Sequence, residues 1–247
     1  MRLLNCFIVI IYSLLFSTSL VAQVQDRAQL EKDYFALRAE LDEKLKDKEK
    51  QLLSVTEEEK ENYSRFLQQP ETGLVRILPR EKFDEKLTVR GGGAYYSFTK
   101  LKHEYNNGTD IALEQGKLSV GFAGANFGFL RSLGNITLDE LTLDHPDIRY
   151  AANFVTPSKE AEARKQARLF GKGVKIGEAL YVRHLDAKPE TTYVVRSIDY
   201  GTSDVLVVFH IIKKDTDGSL LLMWKKLKTY EVTKLEPTPE PETSNQK

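Results

Sequence analysis

Hydrophobic residues change their spacing along this chain. From 25 to 55 they recur at steps of three, four or seven: Leu30, Tyr34, Leu37, Leu41, Leu45, Leu52 and Val55, with Glu, Lys, Asp and Arg between them. That period predicts an amphipathic helix over 25–53, interrupted in its stripe at Lys48. Glycine and proline are absent from 23 to 69, so nothing in the stretch breaks a helix. Thr56 with Glu59 three residues on predicts a capping box and a second helix from Glu57 to about Gln68. Residues 23–70 therefore read as a helical hairpin or a bent helix.

After Gly73 the spacing shortens. LVRILP, KLTVRGGGAYYSFTKL, DIALEQ, KLSVGFAGANFGFL, ITLDELTL and IRYAANFV are short β-rich runs separated by turn residues. SKEAEARKQARLF, 158–170, interrupts them as one charged helix with Ser158 as its candidate cap. TTYVVRSIDY, DVLVVFHIIKK and SLLLMWKKLKTYEV, joined by GTS and DTDG, predict an antiparallel meander. The expected fold is mainly β with an N-terminal α-helical extension: an antiparallel β-sandwich or open barrel of eight to ten strands plus one inserted helix, spanning 71–235. The proline- and glutamate-rich 236–247 reads as a solvated tail.

The first 22 residues have a third pattern. Arg2 precedes the apolar LLNCFIVIIYSLLF and the small residues of STSLVA, the anatomy of a signal peptide cut after Ala22. An uncleaved N-terminal anchor is the alternative, because Leu20 is bulky near the cut. The only cysteine, Cys6, lies in this leader, so the exported chain would have no thiol for disulfides, catalysis or metal. No later segment reads as a membrane span. Removing Arg2 takes the basic count from 36 to 35 against 36 acidic residues, a formal charge of −1. A balanced chain without a long Lys/Arg run gives nucleic acid no electrostatic purchase.

RGGGAYYSF, 90–98, poses the sharpest local question. A phosphate-binding glycine loop needs a helix directly after it, and AYYSFTKL does not start one. Gly91–Gly93 are expected instead to be extended and part of a sheet, with Phe122 or Phe127 of VGFAGANFGFL lying over their bare backbone. The functional counterpart is an aromatic-lined groove for a sugar face or a peptide, built from Tyr95, Tyr96, Phe98, Phe122 and Phe127.

LQQPETGLVRILPREKFD, RGGGAYYSF and GFAGANFGFL resemble a group of uncharacterised exported bacterial proteins, over about residues 66–235. The resemblance implies a shared fold and an exported location, and carries no activity.

Chemistry is sparse. His103, His145, His184 and His210 are the four histidines. DHPD, around His145, holds too few ligands for a metal and reads as a proline turn. His210 interrupts an apolar run and reads as a half-buried core histidine. Neither G-x-S-x-G nor H-E-x-x-H occurs. Asp215 and Asp217 in DTDG lack the closing acid of a calcium loop. Asn62, Asn107 and Asn135 begin glycan-acceptor triplets. The expected function is an exported, non-enzymatic binding or structural protein of the cell envelope, with no cofactor and no metal. It would associate with itself or another protein through the 30–55 helix, and take a glycan or peptide in the groove. The alternative is a hydrolase acting on envelope or extracellular polymers.

Overall fold

The computed structural model describes residues 2–103, 105 and 108–236, with side chains described from 26 onward. The leader expected at 1–22 therefore lies outside the described side chains, and the tail beyond 236 lies outside the described residues. Two compact units divide the chain, Met1–Lys50 and Gln51–Lys247.

The first unit is helical. α1 runs Arg2–Leu53. Pairs one turn apart line its surface, Lys44 with Glu40 at 2.6 Å and Arg38 with Asp42 at 3.9 Å. Its apolar stripe faces outward: Leu30, Tyr34, Leu37, Leu41 and Leu45 are all exposed. Among the described residues no helix is long and apolar enough to cross a membrane.

In the second unit, the Thr56 hydroxyl accepts the Glu59 amide and the Glu59 carboxylate accepts the Thr56 amide, the expected capping box. It starts α2, Glu57–Asn62. The helix expected to continue to Gln68 breaks at Tyr63 (φ −115°), and α3 takes up Ser64–Leu67.

The strands follow as β1 (Thr72–Ile77), β2 (Tyr95–Tyr96), β3 (Ile111–Glu114), β4 (Lys117–Ser119), β5 (Phe127–Gly134), β6 (Val174–Ile176), β7 (Ala179–Tyr181), β8 (His184–Asp186), β9 (Thr191–Asp199), β10 (Ser203–Lys214) and β11 (Leu220–Thr229). Short α4 (Arg80–Phe83), then α5 (Pro146–Asn153) and α6 (Glu160–Lys172) interrupt them. One sheet has the order β1-β11-β10-β9-β5, a second β2-β3-β4-β8, and β6-β7 form a ribbon. All pairings between these strands are antiparallel, and neither larger sheet closes into a barrel. The meander expected at the C-terminal end is β9-β10-β11.

Strand alternation sends β10 side chains to two cores. Val205, Val207, Phe209 and Ile211 meet Tyr96, Ile111, Leu113 and Leu118 of the four-stranded sheet. Leu206 and Val208 meet Ile148 and Ala151 of α5 and Phe170 of α6 on the opposite face. Both faces of β9 and β10 are covered, which is why their sequence is an apolar run rather than an alternation.

A charged pair sits in the helix-side core. Arg196 Nε lies 2.6 Å and Nη2 3.0 Å from the two Asp204 oxygens, with both side chains at most 3% exposed. Arg196 also donates to the Ala151 carbonyl at 3.3 Å, Thr156 donates to Asp204 at 2.7 Å, and the Tyr230 ring lies over the guanidinium.

Several expectations are corrected. Residues 148–153, expected as strand, belong to α5, because Pro146 takes the first helical turn and His145 caps it, its Nδ1 accepting the Asp147 amide at 3.2 Å. The inserted helical layer thus has two helices, α5 and α6, not one. The Ser158 side chain does not cap α6; Lys159 holds the cap position. ITLDELTL forms turns, and the strand expected from 120 begins only at Phe127. The glycine segment is not extended. Gly91, Gly92 and Gly93 have φ of 85°, 59° and 76°, a tight left-handed turn just before β2. Neither Phe122 nor Phe127 covers them. A side chain at Gly91 would strike the Tyr95 ring, at Gly93 Leu53, and at Gly92 the backbone of Phe83 and Asp84.

Two stability predictions follow from this packing. Gly116 also has positive φ (72°) but opens on empty space. Gly92→Val should therefore destabilise the fold by about 1–3 kcal/mol more than Gly116→Val, through collision with the α4 backbone. Asp204→Ala strands a buried guanidinium and should cost about 3–5 kcal/mol. Urea midpoints at unchanged m-value check both.

Candidate functional site

α2 and α3 stand over one end of the five-stranded sheet because a charged cluster holds them there. Arg76 of β1 pairs with Glu59 of α2 at 2.6 Å and with Asp215 of the β10–β11 turn, and Lys213 reaches Glu59 at 2.8 Å. Burial pushes the Glu59 carboxyl up, but Lys213, the Thr56 amide and Arg76 together outweigh it and hold it down at about 2. On the other side, the segment following β5 turns back over the sheet. Gln69 Nε2 donates to Asp139 Oδ1 at 2.9 Å and ties the two walls together.

Between the walls lies a cavity of about 440 Å³. Asn62, Tyr63, Arg65 and Gln69 line one side, and Asn135, Thr137 and Asp139 the other. Phe66, Ile136, Leu138 and Met223 supply apolar surface, and His210 rises from β10 between them. Amides that both donate and accept thus converge on an apolar floor. Asn62 and Asn135, which begin acceptor triplets, both sit on this cavity, so a glycan on either would crowd it.

His210 has a defined tautomer. The Thr192 hydroxyl donates to the Ile136 carbonyl at 2.6 Å. Its oxygen must then accept from His210 Nδ1, 2.9 Å away. The neutral imidazole accordingly carries its lone pair on Nε2. Burial lowers the His210 pKa, against a smaller upward pull from the Glu190 charge, so the ring is neutral at pH 7.

The residues expected to form an aromatic groove do not converge. Tyr96 and Phe98 are buried between the two sheets, Phe98 edge-on to Trp224 at 5.4 Å. Phe127 is buried on the opposite face of the sheet, 6.2 Å from Phe170. Tyr95 is buried against Tyr105 and Phe122, with ring centroids at 4.7 and 5.4 Å. β2 does send Tyr95 and Tyr96 to opposite faces, but both faces are covered. Of the five, half-buried Phe122 borders a cavity of about 210 Å³ that Tyr105, Arg90, Asn126 and Asp199 share, and Tyr96 borders a separate one of about 360 Å³ with Leu53, Lys60 and His103.

Close to these residues lies Asp110, fully buried. Its Oδ2 accepts the Phe98 amide at 2.7 Å. Among the described residues its Oδ1 has no partner in hydrogen-bond geometry, although the Ser197 hydroxyl is near enough to favour the charge. Burial dominates and pushes this carboxyl up to about 6.

The other histidines are engaged or peripheral. His103 Nε2 lies 2.6 Å from the Arg76 carbonyl, His145 caps α5, and His184 sits on β8. Among the described residues no group of three or more His, Cys, Asp or Glu side chains could hold a metal ion. Asp215 and Asp217 serve the β10–β11 turn, Asp217 accepting the Ser219 amide at 2.8 Å.

Comparison with protein-family models, curated proteins and solved structures found no match to this chain.

The cavity was not legible in the sequence, because its lining comes from four separated segments. His210 was the one available signal: a titratable residue breaking an apolar strand.

The Glu59 cluster makes stability depend on acid. A carboxyl with a depressed folded pKa stabilises above its ordinary value of 4.5, and that contribution is lost as pH falls toward about 2. Glu59→Gln should lower stability at pH 7 and flatten its decline between about pH 4.5 and 2. Urea titrations across that range measure both.

Proposed function

We propose that this chain is an exported, non-enzymatic binding protein of the cell envelope, and that the cavity between α3 and the 135–139 segment takes a glycan. The resemblance to exported bacterial proteins and the leader-like 1–22 support the location. The finer fold reading is a β-sandwich, the five- and four-stranded sheets enclosing one core, with a helical layer on the outer face of the larger sheet.

The observation that carries the binding reading is the convergence of Asn62, Arg65, Gln69, Asn135 and His210 around Phe66 and Met223. Sugar hydroxyls both donate and accept, as side-chain amides do, while the apolar face of a sugar ring suits an aromatic or thioether floor. His210 Nε2 would accept one sugar hydroxyl.

The hydrolase alternative has less support at this cavity. His210 gives its Nδ1 proton to Thr192, whose own proton goes to Ile136, so the pair is not a base activating a nucleophile. His210 makes no hydrogen bond to a carboxylate among the described residues, whereas a catalytic imidazole is usually oriented by one.

A glycan array followed by calorimetry on the best ligand tests the proposal. Arg65→Ala and Asn135→Ala are expected to weaken binding at least about tenfold, the loss of one or two hydrogen bonds at about 1.4 kcal/mol per decade, with Tm unchanged. Since protonation turns His210 Nε2 into a donor, affinity should fall as pH drops below the ordinary histidine range. A ligand whose affinity ignores both substitutions, or release of shortened polymer by the protein alone, would remove the reading.

A further inference from the structure

The cavity of about 210 Å³ that Phe122 borders shares no lining residue with the one assigned to a glycan. Two opposite charges line it. Asp199, at the end of β9, is buried, and its Oδ2 accepts the Gly108 amide. Among the described residues its carboxylate has no ion-pair partner. The guanidinium of Arg90, on the same cavity, lies over the Tyr105 ring at 4.8 Å instead. Ser197 stands two residues before Asp199, on the same face of β9, and lines the cavity as well. Its hydroxyl lies beside the carboxylate of Asp110, which is fully buried and whose Oδ1 is unpartnered among the described residues. Lys100, which packs beside Gly108 near this end, already has a partner. One end of the cavity is thus acidic, and a cation stands elsewhere on its wall.

We propose that this cavity binds a single α-amino acid, its ammonium group at Asp199 and its carboxylate at Arg90. A guanidinium and a carboxylate on one small cavity attract each other, yet here they stay unpaired. A ligand carrying both charges satisfies both, each through a charge-assisted hydrogen bond. A simple anion would meet Asp199 uncompensated, and a simple cation would leave Arg90 without a partner. Asp110 adds to the attraction for an ammonium group through Ser197, without touching the ligand. Asn126 adds a donor: its Oδ1 accepts the Tyr200 amide at 3.1 Å, so its NH2 is the group left for a ligand carboxylate. The Tyr105 and Phe122 rings, both packed on Tyr95, give the ligand's side chain an apolar wall. The volume lies below the range of about 300–1,000 Å³ usual for drug-sized ligands, so one small molecule fits and a chain of sugars does not. The assignment does not rest on the glycan reading.

Calorimetry on the full chain with each standard amino acid tests the assignment. The best ligand is then compared with the amine that lacks its carboxylate and the acid that lacks its ammonium group. For leucine these are isoamylamine and 4-methylpentanoate. At least one amino acid is expected to bind, and losing either charged group should weaken binding at least about tenfold. Arg90→Gln and Asp199→Asn should each weaken the amino acid by a similar factor. The substitutions also carry a signature that a merely structural role would not give. With Arg90→Gln, the amino acid and its amine should bind alike, because the group that reads the carboxylate is gone. With Asp199→Asn, which keeps an oxygen for the Gly108 amide, the amino acid and its acid should bind alike. Should Asp199→Asn fail to fold, Arg90→Gln, on an exposed side chain, carries the test alone. In the unaltered chain, an amine binding as tightly as its amino acid would make this a simple cation site and overturn the proposal. An acid doing so would make it an anion site, with the same consequence. Absence of heat and of any Tm shift with all the standard amino acids would overturn it as well.

Discussion

The second unit is organised around one buried ion pair. Arg196 and Asp204 lie on adjacent strands of the five-stranded sheet, in the core where its helices pack. A guanidinium and a carboxylate withdrawn from water are tolerable only when paired and when their remaining donors and acceptors are met. Here the extra partners are the Ala151 carbonyl at the end of α5, the Thr156 hydroxyl just past it, and the Tyr230 ring beyond β11. Tyr230 adds its own bond to the Ala152 carbonyl at 2.8 Å. Two segments distant in sequence, 151–156 and the one around Tyr230, are thereby tied to one point on the sheet. Leucine at 196 would pack in this core but would specify none of those partners.

The candidate cavity inherits its shape from that arrangement. α5 is held at its other end by Arg131 of β5, which pairs with Asp147 at 2.6 Å. The segment 135–139, which forms one cavity wall, lies between β5 and α5, so fixing both leaves it little freedom. The opposite wall, α2 and α3, is fixed by Glu59, Arg76, Lys213 and Asp215. The two walls are thus set by separate electrostatic devices, one nearly dry and one at the surface. The buried pair is insensitive to salt, whereas Lys213, half exposed, is screened by it. Between the walls His210 is kept neutral by burial and oriented by Thr192. The binding reading uses it in that role, as an acceptor fixed in place rather than as a base.

The chain divides its labour physically. α1 presents an exposed apolar stripe between charged residues, while the sheets of the second unit bury their apolar faces almost completely. Two cores, one on each side of the five-stranded sheet, account for that burial. A run such as VLVVF, apolar at every position, fits only a strand covered on both faces. With the charged helix expected at 158–170 it was a sequence signal of a helical layer over the outer face, and alternation alone would have described a sheet with one face in water.

Short-range chemistry was readable along the chain. A glycine- and proline-free stretch with a stripe at steps of three and four had to be helical. Thr56 and Glu59 close a capping box from four consecutive residues, and the β9-β10-β11 meander needs only apolar runs joined by tight turns. Tertiary contacts decided the rest. Gly91–Gly93 take left-handed angles that the missing Cβ permits, and Tyr95, Leu53 and the α4 backbone, not rings from VGFAGANFGFL, fill the space where a side chain would stand. The 148–153 segment reads as β by composition, yet Pro146 and the His145 cap start a helix there, and Ile148, Ala151 and Ala152 dock it on the sheet. Tyr95, Tyr96, Phe98, Phe122 and Phe127 are neighbours in pattern but part into three clusters, because a strand two residues long still has two faces and both are covered. The cavity draws on residues 62–69, 135–139, 210 and 223, a set that sheet register and helix docking bring together and that no local rule connects.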